Sequence, residues 1–188
     1  GVIVKTTDGG ENWTVMASGT WLKSVFFTDI NTGYVAGYDS IIKKTSDGGF
    51  TWENIMSGTS NSLWSIDFVN SETGFIVGEN GTIIKTSDSG MSWDSLASGT
   101  TDRLESVCFV DSNIGYAAGQ YSLLKTTDSG LNWAPIDSGI NDWITGVLFI
   151  NADTGFVYGG NKILKTMNGG VDWSVFESET MGLIYSLY

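Results

Sequence analysis

One eight-residue phrase recurs five times in this chain of 188 residues. It reads Thr6-Thr7-Asp8-Gly9-Gly10-Glu11-Asn12-Trp13, returns at 45–52, 86–93 and 126–133, and ends in a degenerate copy at 166–173. The closing tryptophans, Trp13, Trp52, Trp93, Trp133 and Trp173, stand 39, 41, 40 and 40 residues apart. A fixed period of this size belongs to stacked units, none of which can bury its apolar face without a neighbour.

Residues 21–58 show one unit whole. Residues 23–28 form a short apolar run rich in aromatic and β-branched types, 29–33 a turn, and 34–37 a second run. A third run covers 41–45, Asp47-Gly48-Gly49 turns the chain, and 51–56 gives a fourth. Four short strands closed by turn residues predict a four-stranded antiparallel blade, and no stretch carries the 3.6-residue period of a helix. The third strands, among them Val2-Ile3-Val4, Thr82-Ile83-Ile84 and Ser122-Leu123-Leu124, are apolar on consecutive residues. Such strands are expected to be covered on both faces, as when blades stack face to face. The fold class is therefore all-β, a propeller of four-stranded antiparallel blades. Residues 1–18 supply a partial blade, whole blades follow at about 19–58, 59–99, 100–139 and 140–179, and 183–188 resembles one more first strand. Two arrangements stay open: a closed five-blade ring, or an arc of a larger propeller.

Composition narrows the chemistry. Hydrophobic residues make up 41% of the chain and charged ones 16%, enough to bury a core. The formal charge of −12, from 21 acidic and 9 basic residues, argues against nucleic acid and anionic membrane surfaces. There is no histidine and one cysteine, Cys108, so histidine-based catalysis, histidine metal sites and internal disulfides are ruled out within this sequence. No apolar run approaches the roughly twenty residues of a membrane span. The sequence starts at Gly1 without an initiator Met and is expected to be part of a larger polypeptide.

The phrase S/T-x-D-x-G-x-x-W is the Asp-box, and its companions Gly-x-Ile-Ile-Lys-Thr and Thr-Gly-Phe/Tyr-x-x-Gly sharpen the match. From end to end the chain resembles Asp-box (BNR-type) propellers, in style the photosystem II assembly factor family and related repeats of large secreted or surface proteins. More distantly it is similar to sialidases, xyloglucan-cleaving hydrolases and sortilin-type receptors. The resemblance implies a propeller in a secreted or cell-surface protein; it leaves the activity open, because one fold hosts many functions.

The boxes themselves read as structure. Thr hydroxyls and the carboxylates of Asp8, Asp47, Asp88 and Asp128 are expected to bond the turn's own backbone. Gly10, Gly49, Gly90, Gly130 and Gly170 take a positive-φ position, and each Trp covers its turn. Asn168 replaces Asp in the fifth box and should weaken that turn by about 1 kcal/mol. Asp29-x-Asn31-x-Gly33 and Asp111-x-Asn113-x-Gly115 imitate the opening of a calcium loop, but Ser40 and Ser122 stand where its glutamate belongs, so they read as hairpin turns. Asn12-Trp13-Thr14 and Asn80-Gly81-Thr82 match the N-glycosylation sequon, a pattern short enough to arise by chance. Cys108, inside Val107-Cys108-Phe109, is expected to be a buried small apolar residue. No metal or cofactor is expected.

Function is sought where the repeats disagree. Before the first strands stand Trp21, Ser62, Arg103 and Trp143, and two places on come Lys23, Trp64, Glu105, Thr145 and Tyr185. The loops before the third strands also diverge, through Tyr38-Asp39, Glu79-Asn80, Gln120-Tyr121 and Asn161-Lys162. In a propeller these loop sets share the face around the channel mouth, opposite the boxes. The candidate binding residues are therefore Trp21, Tyr38, Asp39, Trp64 and Glu79, with Arg103, Tyr121, Trp143, Asn161 and Tyr185, for a protein or glycan ligand. The expected function is a non-catalytic recognition or scaffold module. One alternative is a glycoside hydrolase; Arg103 is the sole arginine, short of the cluster a sialidase needs, and Asp39, Glu79, Asp102, Glu105 and Asp142 are the acids that could form a catalytic pair. Another is an assembly factor, for which 8 scattered lysines supply no evident basic patch.

Overall fold

A computed structural model describes all residues except 19–20, 140–142, 178–183 and 188. Its strands form one two-stranded sheet and four four-stranded antiparallel sheets. The first sheet pairs β1 (Val2–Lys5) with β2 (Thr14–Ser18). The second blade holds β3 (Leu22–Phe27), β4 (Gly33–Gly37), β5 (Ile42–Thr45) and β6 (Glu53–Ile55) in sequential order. The third repeats this with β7 (Leu63–Phe68), β8 (Gly74–Gly78), β9 (Ile83–Thr86) and β10 (Asp94–Leu96). The fourth is β11 (Ser106–Phe109), β12 (Gly115–Gly119), β13 (Ser122–Thr126) and β14 (Ala134–Pro135). The fifth is β15 (Gly146–Phe149), β16 (Gly155–Gly159), β17 (Lys162–Thr166) and β18 (Ser174–Glu177). The chain is thus the all-β propeller of Asp-box blades that its repeats predict. No helix among the described residues is long and apolar enough to cross a membrane.

Period-two alternation explains the consecutive apolar residues. In β8 and β9, Ile76 and Ile84 face back to a core shared with Tyr34, Ala36 and Ile42 of the second blade. Phe75, Val77 and Ile83 face forward to Leu104, Val107, Ala117 and Leu124 of the fourth. Each strand therefore serves two inter-blade cores, and a polar residue on either side would be buried without a partner. Aromatic pairs mark the three seams between four-stranded blades: Tyr34 stacks on Phe68 at 4.4 Å, Phe75 on Phe109 at 3.9 Å and Tyr116 on Phe149 at 3.5 Å.

The first strands meet around the channel through side chains. Ser24, Ser65 and Ser106 accept hydrogen bonds through Oγ from the backbone amides of Ile66, Val107 and Val147 in the next blade, at 3.2, 3.3 and 3.3 Å. Two residues along each strand, the Asp67 carboxylate accepts from Phe109 N at 2.6 Å and Cys108 Sγ from Phe149 N at 3.4 Å. Cys108 is half-buried, and its thiol bridges two blades instead of simply filling space.

The amino-terminal sheet departs from expectation. Val2 and Val4 are 60% and 44% exposed, not covered on both faces. Only two strands form this sheet among the described residues, and a groove of about 430 Å³ remains beside it, lined in part by Val4, Val25, Phe27 and Trp52. At the other end Ile184 N donates to Gly160 O at 2.9 Å, matching Ile144 N to Gln120 O at 2.8 Å one repeat earlier. Ile184 thus repeats the backbone bond of Ile144, although 184–187 form no strand among the described residues, and 183 and 188 lie outside them.

Candidate functional site

Glycine at the end of each second strand fixes the mouth of the channel. A Cβ on Gly37, Gly78, Gly119 or Gly159 would fall 2.1–2.2 Å from the carbonyl oxygen of Trp21, Ser62, Arg103 or Trp143. Only glycine lets the strand end press onto the entry of the first strand, so the backbone of these four divergent positions is clamped identically while their side chains vary. Tyr38 N and Glu79 N donate to the carbonyls of Trp21 and Ser62, both at 2.9 Å, which ties the two divergent loop sets to one face.

Just beyond the clamp the ladder slips. The pairing of β3 with β4 shifts between Leu22 and Ser24, and that of β7 with β8 between Leu63 and Ser65. Lys23 and Trp64 are the skipped residues, and a bulge of this kind re-aims its side chain out of the sheet. The result is a stack spanning four blades. Trp21 packs on Tyr38 at 6.3 Å between ring centroids, and Tyr38 on Trp64 at 5.5 Å. Lys23 Nζ lies 4.2 Å from the Trp64 ring centroid and the Arg103 guanidinium 4.3 Å, and Arg103 also sits 4.7 Å from the Trp143 ring. Glu105 Oε1 completes the stack, accepting from Arg103 Nε at 2.9 Å, Arg103 Nη2 at 2.6 Å and Trp143 Nε1 at 3.0 Å.

This arrangement offers aromatic faces and charge to a ligand. Glu105 neutralises Arg103, whereas Lys23 has no carboxylate within salt-bridge range among the described residues, so the stack keeps one positive charge on an acidic molecule. The Trp64 indole N–H is buried and has no acceptor there. A buried orphan donor costs about 1–3 kcal/mol, and the indole N–H groups of Trp93 and Trp133 in the boxes are likewise buried without an acceptor among the described residues.

Of the expected mouth residues, Trp21, Tyr38, Trp64, Arg103 and Trp143 come together. Glu79 joins Arg103, Asn80, Thr101 and Gln120 around a polar hollow of about 250 Å³ beside the stack. Asp39 is exposed in its loop at φ 56°, Tyr121 and Tyr185 are exposed, and Asn161 is half-buried; none contacts the stack. Among the acids weighed as a hydrolytic pair, Glu105 is held in the stack and Asp102 Oδ2 accepts from Ser122 at 2.8 Å; Asp142 lies outside the described residues. Lys23 and Glu105 stand in the stack although they lie outside the candidate binding set. The signal for them was present, since both stand at divergent positions two places after the entry residues.

The boxes occupy the opposite face and are built as predicted. In the second, Asp47 Oδ1 accepts from Thr45 Oγ1 at 2.8 Å and Thr51 N at 2.9 Å, and Gly49 N donates to Thr45 Oγ1 at 2.8 Å. These bonds, the Thr51 amide foremost, hold the Asp47 carboxyl at about 2, and the Asn12 amide does the same for Asp8. Trp93 and Trp133 are 7% and 8% exposed and cover their turns by packing, whereas Trp13 is 59% exposed and donates from Nε1 to Gly10 O at 3.1 Å. The fifth box corrects a further expectation. Elsewhere the residue four places on donates to the aspartate, as Asn132 Nδ2 does to Asp128 Oδ2 at 2.7 Å. In the fifth box Asn168 Nδ2 donates to Asp172 Oδ2 at 2.9 Å, so the carboxylate has moved four residues and the bond survives with donor and acceptor exchanged. The calcium-like loops are Asx turns: Asp29 Oδ1 accepts from Asn31 N and Thr32 N, and Asn70 substitutes for it one repeat on. Of the sequon asparagines, Asn12 Nδ2 is committed to Asp8 and Asn80 Nδ2 to Asn61. Among the described residues no cluster of side chains is arranged to hold a metal ion.

The repeats also explain the lysines. Lys5, Lys44, Lys85 and Lys125 each reach across a seam to a box carbonyl of the next blade, Gly48, Ser89, Ser129 and Gly169, at 2.6–2.8 Å. Four of the nine basic residues are therefore inter-blade staples, and Lys23 and Arg103 supply the cationic chemistry of the mouth.

The comparisons agree with this architecture. The family model for the photosynthesis system II assembly factor YCF48 matches residues 51–141. YCF48 bound to D1 peptide superposes with a TM-score of 0.72 at 19% identity, covering 88% of this chain and 56% of that one. YCF48 from Cyanidioschyzon merolae gives 0.69 at 17% identity over 85% of this chain and 57% of that chain. The Niastella koreensis GH74 enzyme gives 0.78 at 18% identity over 94% of this chain and 34% of that chain. None of the curated proteins matches. The chain spans a little over half the length of the YCF48 structures and carries BNR-type propeller repeats in the style of that assembly factor.

Proposed function

We propose that this propeller is a non-catalytic recognition module of a secreted or surface-displayed protein and holds a segment of another protein at its channel mouth. The observation that carries the reading is the stack of Lys23, Trp64, Arg103 and Trp143, fixed by bulges, clamping glycines and Glu105. Tryptophan and arginine are the types that dominate binding energy when held rigid, because little side-chain entropy is lost on association. The free charge of Lys23 and the orphan Trp64 donor suit a segment presenting an acidic side chain and a backbone carbonyl. A structure of YCF48 with a bound D1 peptide supports the peptide class of ligand, since a propeller of this repeat style binds one. The assembly-factor reading is a special case, favoured by the family match over 51–141.

The test is an array of about 12-residue peptides, a length that crosses a blade when extended, probed with the folded chain and with Trp64→Ala and Arg103→Ala. Either change should weaken the selected peptides by about 2 kcal/mol or more while the melting transition is retained. Binding indifferent to both would remove the mouth as the site. Hydrolysis of xyloglucan or sialoside above background would overturn the non-catalytic reading.

A further inference from the structure

The box turns carry a large apolar side chain that the box hydrogen bonds do not use. Immediately after the last box glycine stand Phe50, Met91, Leu131 and Val171, in four successive blades. They are 56%, 76%, 65% and 74% exposed, and the box hydrogen bonds run through the Thr, the Asp, the glycine amides and the residue after this one. Phe50 also packs under Lys5, whose Nζ lies 3.7 Å from its ring centroid, whereas Met91, Leu131 and Val171 stand far into solvent and the first repeat has the polar Glu11 at this position. Four large apolar side chains in register on one face mark an interaction surface.

Charge selects its partner. The turn preceding each box is tied to it by a backbone bond, Ser89 N to Glu72 O at 2.9 Å and Ser129 N to Asn113 O at 3.0 Å, so both turns share the face. Each of these blades places two carboxylates there, Glu72 and Asp88 in the third and Asp111 and Asp128 in the fourth. The nearby lysines are folded under the boxes onto backbone carbonyls, which leaves the carboxylates outermost. A second copy of this chain, at −12, or an anionic lipid surface would meet like charge.

We propose that the box face, on the side away from the channel mouth, binds a basic amphipathic segment whose apolar side seats on Phe50, Met91, Leu131 and Val171 and whose flanking Lys or Arg residues meet the turn carboxylates. This surface is independent of the mouth site.

The probe is a fluorescent Lys/Leu amphipathic helix of about 18 residues, followed by anisotropy beside its Glu/Leu counterpart and a scrambled Lys/Leu isomer. The Lys/Leu helix should bind this chain, more weakly as salt rises. The triple change Phe50→Ser, Met91→Ser and Leu131→Ser should weaken it at least about tenfold. Trp64→Ala should leave it unchanged. If the triple variant melts early, Met91→Ser and Leu131→Ser singly should each weaken binding about threefold. The proposal is overturned if those variants bind as the parent does, if the scrambled or Glu/Leu peptide binds equally well, or if light scattering shows the apolar positions driving self-association.

Discussion

Asp67 offers the sharpest test of how the blades are joined. Its carboxylate lies in the seam between the third and fourth blades, where the equivalent bonds are made by neutral Ser Oγ or Cys Sγ, and burial pushes its pKa from 3.8 up to about 6 against the opposing Phe109 amide bond. A folded-state value above the unfolded one means that the protonated form is favoured by folding. The contribution is fully present below the unfolded pKa and is lost as pH rises through the folded one. The shift of about 2 units corresponds to about 3 kcal/mol, of which about 2 kcal/mol should be lost between about pH 4.5 and about pH 8. Cys108, the neighbouring titratable group, has its thiol pushed up to about 11 by burial and stays neutral across that window. Asp67→Asn keeps an acceptor for Phe109 N–H and removes the charge. Urea denaturation of both proteins across this range should give stabilities whose difference changes by about 2 kcal/mol, the parent losing ground toward alkaline pH. The comparison cancels the relief of general charge repulsion on acidification, which both proteins share. Parallel curves would refute the burial argument, and a parent that gains on Asp67→Asn as pH rises would refute its sign.

The remaining predictions follow from the same contacts. Trp93→Ala or Trp133→Ala should cost about 3–5 kcal/mol in chemical denaturation, whereas Trp13→Ala, at an exposed turn, should cost under about 1 kcal/mol. Equal costs would mean that the box tryptophan acts only within its own turn. Gly119→Ala places a Cβ 2.2 Å from Arg103 O and 2.5 Å from Glu105 N, so it should destabilise by about 3 kcal/mol and, in a crystal structure, displace Arg103 from between the two tryptophans. An unchanged melt would show that the clamp yields easily.

Much of this molecule is written in its period. The box phrase at intervals near forty residues determines the repeat unit, strand order and the face on which each turn lies, because every strand and turn must recur wherever its packing partners recur. Local chemistry was equally legible: Asp-to-amide turns and paired glycines close over a few residues and need no distant partner. The set of divergent positions at the mouth was visible as well, since it is the complement of what repeats. Tertiary structure decided which of them meet. Trp64 reaches Arg103, and Arg103 reaches Trp143, across blade seams that no spacing encodes, and a bulge of one residue turns Lys23 and Trp64 outward. The employment of lysines as staples, the burial of Asp67 and the exchange of donor and acceptor between Asn168 and Asp172 likewise depend on partners brought close by stacking or by a turn closing on itself. The period tells each residue which unit it belongs to; only the angle at which one blade leans on the next determines what its side chain touches.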